Sequence, residues 1–115
     1  MVYELAHFVN RDGERIPHES IEKAPSAELR MNQTDQDSLP PYDVLDRILK
    51  AYVEDLWSPQ EIAEKCHLSL DLVRWVARQV DRNEYKRKQA PPGLKVTSKA
   101  FSVGRRFPIA QRFSL

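Results

Sequence analysis

Few side chains in this 115-residue sequence have the type and spacing that chemistry needs. The single thiol, Cys66, has no base placed beside it in a pattern that would draw off its proton, so it reads as a small apolar filler at a helix end. One cysteine also rules out an internal disulfide, a CxxC redox pair and any multi-cysteine zinc site. His7, His18 and His67 show neither H-x3-H nor carboxylate spacing, which argues against a metal centre. Gly13, Gly93 and Gly104 cannot write GxGxxG or GxxxxGK[ST], so no glycine-built phosphate cradle exists within the chain. Asp35 and Asp37 stand two apart in a polar loop, and two acids do not by themselves specify a Mg2+ site. Trp57 and Trp75 read as packing or interface residues.

Cations are what remain. Residues 1–81 carry nine basic and sixteen acidic side chains, a net of −7, whereas residues 82–115 carry nine basic and one acidic, a net of +8. The tail cations are Arg82, Lys86, Arg87, Lys88, Lys95, Lys99, Arg105, Arg106 and Arg112, with Glu84 the only acid among them. Such a segment seeks phosphate or an acidic surface, and the acidic half of the same chain is one such surface. Lys86, Arg87 and Lys88 end a helical stretch, where cations either meet a phosphate ligand or complement the helix dipole.

The elements that must position these groups follow from periodicity. Val2, Leu5, Ala6 and Val9 have helical spacing before a turn-like Asn10-Arg11-Asp12-Gly13, but nothing before Val2 caps them, so something upstream is expected to be missing. Residues 14–41, with Pro17, Pro25, Pro40 and Pro41, read as one long polar loop of the kind that is either a functional lid or disordered. Val44, Leu45, Ile48, Leu49, Tyr52 and Val53 predict a helix over 42–54. Ser58-Pro59-Gln60-Glu61 writes a capping box with proline at the first helical position, and this second helix should end near Cys66-His67. Ser69 is expected to cap a third helix with Leu72, Val73, Val76, Ala77 and Val80 on one face. The chain therefore reads as mainly α: loop-rich residues 1–41, a three-helix segment over 42–89, and an extended basic tail over 90–115. No apolar run approaches the roughly 20 residues a bilayer span requires. With no basic and apolar leader at Met1-Val2-Tyr3-Glu4, a cytoplasmic location is expected.

Residues 58–80 admit a helix-turn-helix reading, in which Arg74, Arg78 and Gln79 face a DNA major groove and the basic tail assists. Against it stand a turn without glycine and the acids Glu61, Glu64 and Asp71 around the would-be reading head.

Longer motifs point elsewhere. Pro25 to Leu29, Gln33-Thr34-Asp35-Gln36-Asp37-Ser38-Leu39-Pro40-Pro41-Tyr42-Asp43-Val44-Leu45-Asp46, Asp81 to Thr97, and the ending Gly104-Arg105-Arg106-Phe107-Pro108-Ile109-Ala110-Gln111 together resemble the C-terminal part of the synthetase domain of glutamine-dependent NAD+ synthetases. That resemblance implies a parent fold of the α/β, Rossmann-like adenine-nucleotide-hydrolase type, of which this chain is the closing segment. It implies an enzyme that adenylates deamido-NAD with ATP and Mg2+ and then displaces AMP with ammonia drawn from glutamine, and that forms oligomers. The family's serine-glycine-glycine ATP loop, its upstream metal carboxylate, its ATP-contacting lysine and its amidohydrolase domain have no counterpart here. The segment alone is therefore expected to be inactive, and to bind no cofactor by itself.

Residue by residue, the resemblance puts Ser26 where the family has a hydroxyl residue touching ATP, and Lys86 where it has a lysine contacting deamido-NAD. Tyr85 takes the position at which ammonia-dependent relatives carry a histidine, a departure from the pattern. Asp35 and Asp37 fall in a loop that resembles the family's mobile lid, as ligand contacts or as residues that order the closed loop. From the residues alone, Ser26 serves equally as a turn-former after proline.

Overall fold

The computed structural model describes residues 2–91, 93, 95–99, 101 and 104–110. All its regular elements in that range are helical. Two compact units divide the chain, 1–39 and 40–115.

The first unit contains α1 (Val2–Val9), a 3-10 turn at Asn10–Asp12, α2 (His18–Glu22) and a second 3-10 turn at Asp35–Asp37. The stretch expected to be one irregular loop thus carries a short helix after Pro17, where proline's preset φ suits a helix start. Local polar bonds shape this unit. Asn10 Oδ1 accepts the N–H groups of Arg15 and Ile16 at 3.0 and 2.9 Å while its Nδ2 donates to the Ile16 carbonyl at 2.8 Å, which pins the turn through Gly13. None of the described residues of this unit is buried.

The second unit is built around α3 (Tyr42–Leu49), α4 (Pro59–Cys66), α5 (Leu70–Arg82) and α6 (Glu84–Gln89). Ile48, Ala51, Ile62, Val73, Val76 and Val80 form its buried core, with Val44, Leu45, Leu49, Tyr52, Trp57, Leu72 and Trp75 packed around them. Full burial of one such aliphatic side chain is worth about 1.5–3 kcal/mol, so this cluster is the main source of order in the unit. On α5 the buried residues Val73, Val76, Ala77 and Val80 recur at i, i+3, i+4 and i+7, the face expected from the sequence.

Local signals set the helix ends. Ser58 and Glu61 form the expected capping box: the Glu61 N–H donates to Ser58 Oγ at 3.3 Å and the Ser58 N–H to Glu61 Oε2 at 2.9 Å. α4 then stops at His67, whose φ of 54° is the left-handed conformation that usually falls to glycine, and the Leu68 N–H returns to the Ala63 carbonyl at 3.0 Å. Ser69 precedes α5 with extended backbone but its side chain makes no capping bond, contrary to expectation; only its carbonyl serves the helix, accepting from the Val73 N–H at 3.1 Å.

Two breaks depart from simple periodicity. The helix expected over 42–54 is α-helical only to Leu49, and Lys50–Glu54 form a π-helical turn, with the Asp55 N–H bonded to the Lys50 carbonyl at 3.2 Å. The extra residue in that turn buries both Ala51 and Val53 and leaves Tyr52 half-buried between them. At the other end Asn83 interrupts the helix, so residues 42–89 hold four α-helices where three were expected. Where α5 ends, the Asn83 side chain and its backbone N–H both donate to the Gln79 carbonyl, at 2.8 and 3.2 Å.

Candidate functional site

The positions singled out from the sequence fall into both units. In the first, Ser26 is half-buried and its Oγ accepts the Glu28 N–H at 3.0 Å, a side-chain turn that accompanies the left-handed φ of 53° at Glu28. Lys23 Nζ closes the same loop on Glu28 Oε1 at 2.6 Å. The Ser26 hydroxyl is used here as an acceptor, and its proton stays available for a phosphate or ribose oxygen.

Asp35 and Asp37 begin and end one 3-10 turn. Asp37 accepts the Thr34 N–H at 3.1 Å and the Thr34 hydroxyl at 3.0 Å, and Arg30 Nη2 lies 3.6 Å away. The bond from the Thr34 backbone, then that from its hydroxyl, hold the Asp37 carboxyl below the usual aspartate range. The Asp35 N–H donates to the Pro25 carbonyl at 2.9 Å, tying the turn to the segment that carries Ser26. The Asp37 carboxylate and the Asp35 backbone thus both take part in the hydrogen bonding of the loop. Among the described residues, no group of three or more His, Cys, Asp or Glu side chains could hold a metal ion.

In the second unit the run Lys86-Arg87-Lys88 divides. Glu84 is fully buried, and its i+3 and i+4 neighbours turn toward it: Arg87 Nη2 reaches Oε2 at 3.0 Å and Lys88 Nζ reaches Oε1 at 3.8 Å. Arg87 also donates to the Val80 carbonyl. Lys86, at i+2 from Glu84, is exposed and pairs with no acid among the described residues. Tyr85 is likewise exposed. Helix-end chemistry therefore accounts for two of the three cations, and the one the resemblance singles out is left over.

Sequence reasoning missed Arg105. Nine-tenths buried, its guanidinium donates from Nη2 to Asp81 Oδ1 at 2.6 Å and from Nη1 to Glu84 Oε2 at 3.3 Å. Phe107 and Tyr52 flank it, with ring centres 4.5 and 5.7 Å away. Asp81 Oδ2 in turn accepts the Tyr52 hydroxyl at 2.9 Å. The signal was present in one form: Glu84 is the lone acid of the basic tail, and its neighbouring cations converge on it. Arg106 stays exposed and, with Tyr52, Leu56, Trp57, Gly104, Arg105 and Phe107, lines an open cleft of about 340 Å³.

The expected extended tail is described in part. Those of its residues that are described form no helix or strand, and Arg105 folds the segment back onto the acidic half of the chain. Pro92, Leu94, Gln111 and Arg112, which belong to the quoted motifs and the basic run, lie outside the described residues. No helix of the described residues is long and apolar enough to cross a membrane.

Comparison with known proteins gives one consistent answer. A family model described as NAD synthase matches residues 1–90. The glutamine-dependent NAD+ synthetases of Aquifex aeolicus and of a Synechocystis species are each 50% identical over 112 residues, covering 97% of this chain and 20% of their own length. A solved structure of the glutamine-dependent NAD+ synthetase from Acinetobacter baumannii in complex with ADP superposes with a TM-score of 0.60 at 41% identity, covering 94% of this chain and 18% of that one. The chain spans about one fifth of the length of the curated relatives it matches. The helix-turn-helix alternative gains no support, since residues 58–80 fall inside the matched span.

Proposed function

Because the chain belongs to the NAD synthase family, we propose that it is the closing segment of a glutamine-dependent NAD+ synthetase, an enzyme that adenylates the nicotinate carboxylate of deamido-NAD with ATP and displaces AMP with ammonia from glutamine. The observation that carries this reading is the match over 97% of the chain, at 50% identity, to an enzyme of that name. On this reading the helical unit joins an α/β, Rossmann-like synthetase domain in a cytoplasmic enzyme, and the rest of that domain and a glutamine amidohydrolase domain complete the machinery.

Within that enzyme Lys86 meets the pyrophosphate of deamido-NAD. An exposed ammonium with no acid partner among the described residues is a point charge suited to phosphate oxygens, and Arg87 and Lys88 are each paired with Glu84. Tyr85 lies beside it as a second contact to the same ligand. Ser26 donates its hydroxyl proton to ATP. Asp35 and Asp37 keep the loop in the shape that presents Ser26. The described residues do not fit Mg2+ by themselves, because they offer no three-donor group and Asp37 is committed to Thr34 and Arg30. No step on this segment is assigned to the metal.

The reading is tested by replacing the matching 112 residues of the Aquifex aeolicus relative with this chain and measuring NAD formation from glutamine, ATP and deamido-NAD. Turnover is expected. A folded, soluble chimera that hydrolyses glutamine but makes no NAD would count against the assignment.

A further inference from the structure

We propose that Arg105 is a positioning residue for deamido-NAD binding: its guanidinium bridges Asp81 and Glu84 and thereby sets the orientation of α6, on which Lys86 and Tyr85 stand. This rests on the reading of Lys86 given above.

Among the described residues two side-chain links tie α6 to α5 across the break: Arg87, which also stacks on the Phe101 ring, donates to the Val80 carbonyl from within α6, and Arg105 bridges the two acids from outside it. α6 is six residues long, it follows a break at Asn83 whose φ and ψ are −93° and 11°, and Glu84 is its only buried residue. A helix of that length has no stability of its own. Two acids straddle the break, Asp81 in the last turn of α5 and Glu84 in the first of α6, with 6% and 0% of their surfaces exposed. Buried like charges this close repel unless a cation lies between them, and a planar fork can serve both at once. Arg105 supplies that fork from 21 residues beyond Glu84, so the tail is a strap across the joint. Its geometry is fixed in turn by the Phe107 ring and by Tyr52, which holds the second Asp81 oxygen. Arg105 is the only cation that reaches Asp81 among the described residues, whereas Glu84 also has Arg87 and Lys88. The bridge therefore orients α6 more than it neutralises Glu84. Lys86, two residues from Glu84, moves with that helix.

The test is steady-state kinetics of the full-length synthetase carrying this segment, with Arg105→Lys, Arg105→Gln and Lys86→Ala compared against the parent. Lysine keeps a charge near Asp81 but cannot reach both carboxylates, so Arg105→Lys is the variant expected to fold. Both Arg105 variants should raise KM for deamido-NAD, by about tenfold in Arg105→Gln, the scale of one lost charge-assisted hydrogen bond, and by less in Arg105→Lys. KM for ATP and the rate of glutamine hydrolysis should stay within about twofold, well inside the effect sought. If Lys86→Ala raises KM for deamido-NAD and neither Arg105 variant does, the positioning role is overturned while the Lys86 reading stands. Equal rises for ATP and deamido-NAD that follow a fall in Tm would make the bridge merely structural and overturn it too. If Lys86→Ala leaves KM for deamido-NAD unchanged, the Lys86 reading fails, and this inference with it.

Discussion

Tyr52 donates its hydroxyl proton to Asp81 Oδ2 at 2.9 Å across 29 residues of sequence, joining the π-helical turn after α3 to the C-terminal end of α5. Burial, followed by the bond to Asp81 and the nearby aspartate charge, pushes the Tyr52 phenol up to about 12, against a partial opposing pull from Arg105. A raised folded-state value means the native protein holds the proton more tightly than the unfolded chain does. The stability this contributes is complete below the ordinary tyrosine value of 10.0 and disappears as the pH rises through about 12. In a titration of tyrosinate absorbance, Tyr52 should give a late phase, and Tyr52→Phe should remove it. A titration with no late phase that Tyr52→Phe removes would contradict the buried bond.

The helical core predicts a stability hierarchy. Ile62 is fully buried among Ile48, Val73 and Val76. Ile62→Ala should destabilise the helical unit by about 2–5 kcal/mol through lost burial and the cavity left behind. Ser58→Ala removes an N-cap bond at an exposed helix start and should cost about 1 kcal/mol. Urea unfolding of the synthetase carrying this segment, followed by the fluorescence of Trp57 and Trp75, ranks the two variants, and a larger loss in Ser58→Ala would invert the argument.

The Thr34-Asp37 turn has a testable charge state. Hydrogen bonds from Thr34 favour the ionised carboxylate, so Asp37 should titrate below the aspartate value of 3.8 in a carboxyl-carbon NMR titration. The turn is favoured above that pH and loosens as the pH falls through the depressed folded value. Thr34→Val should bring the Asp37 midpoint back toward 3.8; a midpoint unmoved by Thr34→Val would assign the shift elsewhere.

Purified by itself with Mg-ATP, deamido-NAD and ammonia, the 13.4 kDa chain should make no NAD. Turnover above the blank would show that the ATP loop of the family is dispensable. Sedimentation of the same sample should reveal species heavier than 13.4 kDa, because Leu5, Phe8, Leu29 and Met31 are all more than half exposed. A single monomeric boundary that unfolds cooperatively would refute that expectation.

What the sequence by itself determined is what local chemistry determines. The Ser58-Glu61 box works because both partners lie within one turn of each other, and the α5 face follows from spacing alone. The family too was legible, because its motifs are contiguous strings. The π-helical turn at Lys50–Glu54 was not, since the stripe Ile48, Leu49, Tyr52, Val53 serves an α-helix equally well and the choice was made by packing against α5 and by the Tyr52 bond to Asp81. Nor could spacing assign separate fates to Lys86, Arg87 and Lys88, which look alike until a buried Glu84 claims two of them. The Arg105 bridge was the least legible, because its partners lie 24 and 21 residues away. A pair of buried carboxylates finds its cation only when the chain folds and the low-dielectric interior makes an unpaired charge costly, and that term does not exist in the unfolded string.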